Sequence, residues 1–148
     1  MRRLAADLGV HPNAVYSHVR DKEELLDALV DRLLGEIPLP DGSGPWRDEL
    51  LDLMRASRRV LLAHPGLVPL VVARPKLGPN ADRLTATIDH LFGRGEVDRS
   101  FFAPLLIYLF GFAAFEAPRL ADPEHRAREE DFENGLRWLL DGAIAGSR

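Results

Sequence analysis

Apolar residues recur along most of this chain at the spacing of three and four positions that marks one face of an α-helix. A first stripe precedes a stretch rich in proline and glycine at 38–45, and it consists of Leu25, Leu26, Leu29, Leu33 and Ile37. A second follows that stretch, ends near His64, and consists of Trp46, Leu50, Leu53, Met54, Leu61 and Leu62. The densest β-branched cluster, 68–72, contains Pro69, and a short helix is predicted there instead of a strand. This pattern predicts an all-α fold.

Two further helices are predicted near the end of the chain. The uncharged run Phe101 to Phe115 is 15 residues long and contains five of the seven phenylalanines, with Pro104 expected near its start or at a kink. Because a membrane-spanning helix needs about 20 residues, this run is predicted to be a buried helix. The last helix has one apolar side, made of Phe132, Leu136, Leu139, Leu140, Ala143 and Ile144.

The stretch at 38–45 contains three prolines and two glycines, and it is predicted to separate two units. The first unit comprises residues 1–37, and the larger helical body comprises residues 46–148. Asp21 and Glu24 form a capping-box pattern, which predicts that a helix starts near Lys22.

The first twenty or so residues have the spacing of a helix-turn-helix. Gly9 supplies the positive φ that a tight turn needs, and Pro12 suits the first position of the second helix. Asn13, Ala14, Ser17 and His18 would then lie on the outer face of a short helix, where small and amide side chains reach base edges in a major groove. A plain helical hairpin with solvated polar residues has the same spacing.

The distribution of charge favours the nucleic-acid interpretation. The formal net charge is -4, so any contact with nucleic acid must come from a local patch. Residues 1–20 hold three arginines against one aspartate, whereas residues 21–37 hold two cations against six acids. A positive tip on an acidic body predicts that the protein approaches DNA end-on.

Composition and spacing argue against several other classes of protein. The chain has no cysteine, which excludes disulfides, thiolate metal sites and thiol nucleophiles. Ser17 and His18 are adjacent and would point about 100° apart on a helix, so they form no nucleophile–base pair. Glu124, His125, Glu129 and Glu130 are interpreted as a solvated acidic segment rather than a metal cluster. The sequence thus predicts a cytoplasmic protein that is not an enzyme, has no metal or cofactor and does not enter a membrane.

Two segments, 2–10 and 15–26, resemble the DNA-binding signature of the tetracycline-repressor (TetR) family. The core of that signature, L-Y-x-H-V/F-x-x-K-x-x-L, is matched from Val15 to Lys22 with valine in place of leucine. The stretch from Phe132 to Gly142 is similar, more weakly, to the family's final helix. The resemblance implies a ligand-responsive repressor that binds a palindromic operator DNA as a homodimer.

The resemblance also implies which residues contact DNA: Arg2, Arg3, Asn13, Ala14, Tyr16, Ser17, His18 and Lys22. Asn13 and Ala14 would face base edges, and Lys22 would hold a phosphate at the start of its helix. The sugar–phosphate backbone would be contacted by Tyr16, Ser17 and His18. For Arg3 the alternative to a DNA contact is a side chain that is simply solvated.

Members of the family carry a further helix before the positions of Met1 to Arg3, and this sequence lacks it. A start codon assigned too late, or a truncation, would explain the difference. Because a two-helix hairpin buries little apolar surface, we expect Leu4, Leu8 and Val15 to be unusually exposed, or residues 1–20 to be displaced. The alternative function is a dimeric small-molecule-binding protein that has lost competent DNA binding.

The body is predicted to dimerise and to bind a ligand. The phenylalanine-rich helix is apolar almost all round, so it would form a four-helix bundle with the last helix across a two-fold axis, unless it lies at the centre of a monomer. Polar or aromatic residues beside apolar stretches are weak candidates for ligand contacts: His64, Arg74, His90, Phe112 and Glu116. Each is otherwise a helix-end or surface residue. The phenylalanines favour a small apolar or aromatic effector.

Overall fold

The computed structural model describes residues 2–7, 9, 11–16, 19–74, 78–122 and 129–146. These residues form eight α-helices: α1 Arg2–Asp7, α2 Pro12–Tyr16, α3 Lys22–Gly35, α4 Trp46–Ala63, α5 Val68–Ala73, α6 Pro79–Gly95, α7 Phe102–Glu116 and α8 Glu129–Gly146. Short 3₁₀ turns precede α5 and α7 and follow α7. No strand occurs in the described residues, and the all-α prediction is confirmed.

The first two helices are joined by the predicted glycine turn. Gly9 has a φ of 66°, and its N–H donates to the Ala6 carbonyl at 3.1 Å. α2 then starts at Pro12, where proline loses no intrahelical hydrogen bond. The side chains of Leu4 and Val15, and the whole of Leu8, lie outside the described residues, so the expectation about their exposure concerns a part that the structure does not describe.

Helix α3 begins as predicted. The Asp21 carboxylate accepts from the Glu24 N–H at 2.9 Å, and the helix starts at Lys22. The predicted stripe is wrong at Leu29, which is 40% exposed, whereas Val30 is fully buried. The reason is that α3 packs on α6 and α4 through its second half, and that contact selects the face of Val30, Leu33, Leu34 and Ile37.

The core of the body forms where α4 packs against α6, α7 and α8. Trp46, at the start of α4, lies against Gly95, at the end of α6, so these two helices run antiparallel. The largest fully buried apolar side chains are Leu50, Met54, Leu61, Leu91, Leu105, Phe132, Leu136 and Leu140. α3 contributes Val30 and Leu33 to the same core. The stretch at 38–45 therefore interrupts the helices along the chain, while the packing continues across it.

Helix α7 has both a buried and an exposed apolar face. Leu105, Leu109 and Ala113 are buried, whereas Ile107 is 71% exposed, and Pro104 lies in the first turn as predicted. With its flanking turns the helical segment Arg99–Arg119 has 21 residues, which is long and apolar enough to cross a membrane by length and composition. Because one row of this segment is packed into the core, we interpret it as a core helix whose other face is uncovered.

Candidate functional site

The described part of the predicted DNA-reading surface is exposed. Asn13 and Ala14 on α2 are exposed, and Tyr16 is half-exposed. Arg3 and Lys22 are also exposed. The side chain of Arg2 and the whole of Ser17 and His18 lie outside the described residues. The structure thus leaves the polar face of a short helix, preceded by a tight turn, open to a partner.

A local pair modifies the charge of this tip. The Arg20 side chain lies 3.2 Å from the Glu24 carboxylate, and the Arg20 N–H also donates to that carboxylate, which lowers the pKa of Glu24. Arg20 thus bonds to the start of α3, while its side chain remains 87% exposed.

A cavity of about 60 Å³ lies between α3, α4, α6 and α7. Its lining is apolar apart from two hydroxyls, and it comprises Leu34, Ile37, Leu53, Met54, Ser57, Leu61, Ala81, Leu84, Thr85, Ile88, Phe102, Leu106, Leu109 and Phe110. The Ser57 hydroxyl donates to the Leu53 carbonyl at 2.8 Å. Among the described residues no charged side chain lines the cavity, so a charged occupant would lose its hydration without a partner there.

None of the five residues predicted to contact a ligand lines this cavity. His64 and His90 are exposed, and the His64 Nε2 lies 3.4 Å from the Glu36 carboxylate. Glu116 and Phe112 come together elsewhere, around Arg58. The candidates are polar or aromatic residues beside apolar runs, whereas the cavity is built from the apolar faces themselves.

A buried ion pair joins α4 to α7. The Arg58 guanidinium donates to both carboxylate oxygens of Glu116, at 2.6 and 3.0 Å, and the two residues are 6% and 0% exposed. The guanidinium lies 5.5 Å from the ring centroid of Phe132 and 5.8 Å from that of Phe112. Nearby, the Tyr108 hydroxyl donates to the Phe132 carbonyl at 2.9 Å, and burial raises the pKa of Tyr108. This cluster stabilises the meeting of α4, α7 and α8.

Arg74 connects the end of α5 to α3. Its guanidinium donates to the Glu23 carboxylate at 2.8 Å, to the Glu23 carbonyl at 3.2 Å and to the Asp27 carboxylate. The hydrogen bond with Asp27 raises the pKa of Arg74. Glu23 and Asp27, two acids of the segment 21–37, are therefore paired with Arg74 at the surface of the molecule.

Three large apolar side chains are left exposed on α7 and α8, which pack on each other. Ile107 is 71%, Phe115 54% and Trp138 74% exposed. Large apolar side chains are typical of a protein interface when they form one contiguous patch. Among the described residues no group of three His, Asp or Glu side chains is placed to hold a metal, and Glu124 and His125 lie outside them.

Comparisons with known proteins agree with this arrangement. Residues 37–91 match the family described as "Tetracyclin repressor-like, C-terminal domain". A helix-turn-helix transcriptional regulator of Saccharopolyspora erythraea is 46% identical over 82 residues, which are 55% of this chain and 35% of that protein. The chain spans about a third of the length of this and the next curated relatives.

Solved structures match over almost the whole chain. Apo ActR from Streptomyces coelicolor has a TM-score of 0.82 at 26% identity, covering 99% of this chain and 87% of that one. BioQ from Mycobacterium smegmatis has a TM-score of 0.81 at 28% identity, covering 97% and 85%. ActR has also been solved with actinorhodin, and BioQ with its double-stranded DNA operator. The fold is that of these helical regulators, and ActR is described as a TetR family protein, so the chain is similar to a member of that family over almost its whole length.

Proposed function

We propose that this chain acts as a ligand-responsive transcriptional repressor that binds a palindromic operator as a homodimer. The observation that carries the proposal is the exposed polar face of α2, which α3 connects to a body that encloses an apolar cavity. The relatives support it, because ActR binds actinorhodin and BioQ binds a DNA operator in their solved complexes. The alternative of a sensor that does not bind DNA is not favoured by these relatives.

The DNA contacts proposed are those of Arg2, Arg3, Asn13, Ala14, Tyr16, Ser17, His18 and Lys22. Asn13 and Ala14 would meet base edges in the major groove, because both are exposed on α2. Lys22 would bind a phosphate, because it is exposed at the first residue of α3. A two-fold axis through α7 and α8 would present two such surfaces to the two halves of a palindrome.

The ligand proposed is uncharged and apolar or aromatic, as the lining of the cavity requires. A site for a ligand of ordinary size holds about 300–1,000 Å³, and the cavity in this structure is about 60 Å³. Binding would therefore displace the cavity walls, and that displacement would change the separation of the two reading helices. We also propose that the protein works in the cytoplasm and has no enzymatic activity, in keeping with a family of regulators.

The DNA half of the proposal is tested by selecting duplexes from a random-sequence pool with the purified chain. We expect enrichment of an inverted repeat, and we expect Asn13→Ala to change the enriched bases. Asn134→Ala removes an equally exposed amide from α8 and should enrich the same sequence as the original chain. A pool that stays random after repeated rounds would rule out operator binding by this chain.

The ligand half is tested with the neutral fluorescent probe N-phenyl-1-naphthylamine. Thr85 lines the cavity, whereas Thr87, on the same helix, does not and bonds the Arg83 carbonyl instead. Thr85→Leu should fill part of the cavity and weaken probe binding about tenfold, roughly the effect of two buried methylenes, while Thr87→Leu should leave it unchanged. Equal affinities in the two variants would place the probe elsewhere.

A further inference from the structure

Helix α6 receives its N-terminal cap from another helix. The residue before α6 is Gly78, which has no side chain to bond the free N–H groups of the first turn. Asp31 of α3 takes that place: its Oδ1 accepts from the N–H of Asn80 at 2.9 Å and from that of Ala81 at 3.3 Å. Its Oδ2 accepts from the Asn80 side-chain amide at 2.9 Å. A carboxylate at this position stabilises the helix start by hydrogen bonding and by the helix dipole.

Gly78 allows this close approach. A Cβ at this position would lie 2.6 Å from the Asp31 Cγ, which is closer than real side chains come. The backbone of Gly78 has a φ of -89°, which any residue can adopt. The glycine therefore makes room for the capping carboxylate of α3 and is not needed for an unusual backbone conformation.

The cap lies beside a second polar connection of α3, which joins it to Arg74 at the end of α5. Glu23, Asp27 and Asp31 are four residues apart, so they lie along one side of α3. The first two bind Arg74, whose side chain is only 12% exposed, and the third caps α6. A movement of the start of α6 would thus displace α3 through Asp31.

The capped turn is also a wall of the cavity. Ala81 lines the cavity and at the same time donates its N–H to Asp31. Leu84, Thr85 and Ile88 continue the same wall along α6. An occupant larger than the cavity would displace at least one of its walls, and the first turn of α6 cannot shift without either moving Asp31 or losing its cap.

We propose that Asp31 is a positioning residue that transmits displacement of the α6 wall to α3, and through α3 to α2. The inference rests on the proposed function, since it describes how an occupied cavity would alter the reading helices. Its physical basis is that a carboxylate holding three donors of α6 forces α3 and the start of α6 to move together. The same contact without transmission would only stabilise the protein.

The test uses a side chain in place of the unidentified ligand. Thr85→Phe puts a ring into the cavity and is made in the original chain, in Asp31→Ala and in Asp82→Ala. Asp82 is the matched control, because it is an exposed acid in the first turn of α6. Hydrogen–deuterium exchange is then followed for the amides of α3, with circular dichroism as the check on folding.

We expect Thr85→Phe to speed exchange in residues 22–29 by at least about fivefold, the lower end of typical couplings between sites. The same response is expected with Asp82→Ala, and little or none with Asp31→Ala. A response of equal size with Asp31→Ala, or none in the original chain, would overturn the proposal. Thr85→Leu allows the same comparison if the phenylalanine variant does not fold.

These measurements need neither probe nor DNA, so they separate the two hypotheses. Failure of the naphthylamine to bind would count against the proposed ligand site while leaving the exchange result to decide on transmission. A conservative variant gives a further check: Asp31→Asn keeps an acceptor for the Asn80 N–H and should retain part of the α3 response. If it behaves like Asp31→Ala, the charge of the cap is essential.

Discussion

At the scale of single residues, the pair of Arg58 and Glu116 illustrates how a charge can remain inside an apolar body. Removing both groups from water is costly, and their mutual attraction offsets that cost only with good geometry. Here two hydrogen bonds join the groups, and Phe112 and Phe132 lie beside the guanidinium. We therefore expect the pair to contribute mainly by fixing how α4 and α7 meet, and less by its net effect on the free energy of unfolding.

Removing one member of this pair should be much worse than removing both. Glu116→Gln or Arg58→Met leaves a buried charge without its partner and should lower the free energy of unfolding by about 3–5 kcal/mol. The double variant Arg58→Met with Glu116→Leu should lose less than either, as measured by urea denaturation. The more exposed pair of Arg47 and Asp141 is the control, where Asp141→Asn should cost less than about 1 kcal/mol. Additive losses at the buried pair would contradict this account.

Gly135 provides a second prediction at this scale. A Cβ on Gly135 would lie 2.3 Å from the Tyr108 hydroxyl oxygen, which bonds the Phe132 carbonyl where α7 and α8 meet. Gly135→Ala should therefore lower the free energy of unfolding by about 1–3 kcal/mol through overpacking. Gly93→Ala, at a helical glycine with nothing within 4 Å of the added carbon, should be neutral or stabilising by up to about 1 kcal/mol. Thermal unfolding of the two variants measures both changes in stability. Similar losses of stability in both would disprove the close contact.

At the scale of the helices, α3 has three different tasks along its length. Its start presents the exposed Lys22, and its middle binds Arg74 and caps α6. Its end contributes Leu34 to the cavity wall, and Ile37 joins the wall just after the helix. Because one helix is a single rigid element, these three surfaces cannot move independently.

The start of α3 supports a prediction about DNA binding. Lys22→Ala should weaken binding to every duplex to a similar degree, because a phosphate contact carries no sequence information. The slope of log affinity against log salt should decrease by about 1. Arg59→Ala, which removes an exposed cation from α4, should leave the slope unchanged. Fluorescence anisotropy with the selected duplex at several salt concentrations measures both, and an unaltered slope for Lys22→Ala would remove it from the interface.

At the scale of the whole molecule, we expect two copies of the chain to associate through the exposed apolar side chains of α7 and α8. Ile107→Asp puts a charge on this side and should weaken association by about 2 kcal/mol or more, as at the centre of an interface. Val72→Asp changes a residue of α5 that is 57% exposed and should leave association intact. Analytical ultracentrifugation of both variants measures the dissociation constant. An original chain that stays monomeric, or an Ile107→Asp dimer of undiminished affinity, would contradict the proposed dimer.

Features that depend on residues close together in the chain were predicted from the sequence. The positive φ of Gly9, the start of α2 at Pro12 and the cap of α3 by Asp21 each involve interactions over a few positions. The helical periodicity likewise gave α4, α7 and α8. The DNA contacts stay a prediction from the resemblance, and the predicted residues whose side chains the structure describes lie on exposed surface.

Only the tertiary structure decided which groups from distant parts of the chain meet. Arg58 and Glu116 are 58 positions apart, Arg74 and Asp27 are 47 apart, and Asn80 and Asp31 are 49 apart. The burial of Val30 in place of Leu29, and the apolar cavity, also follow from how the helices pack. The physical reason is that periodicity defines a face of a helix but not its neighbour, and charge pairs and cavities exist only between neighbours.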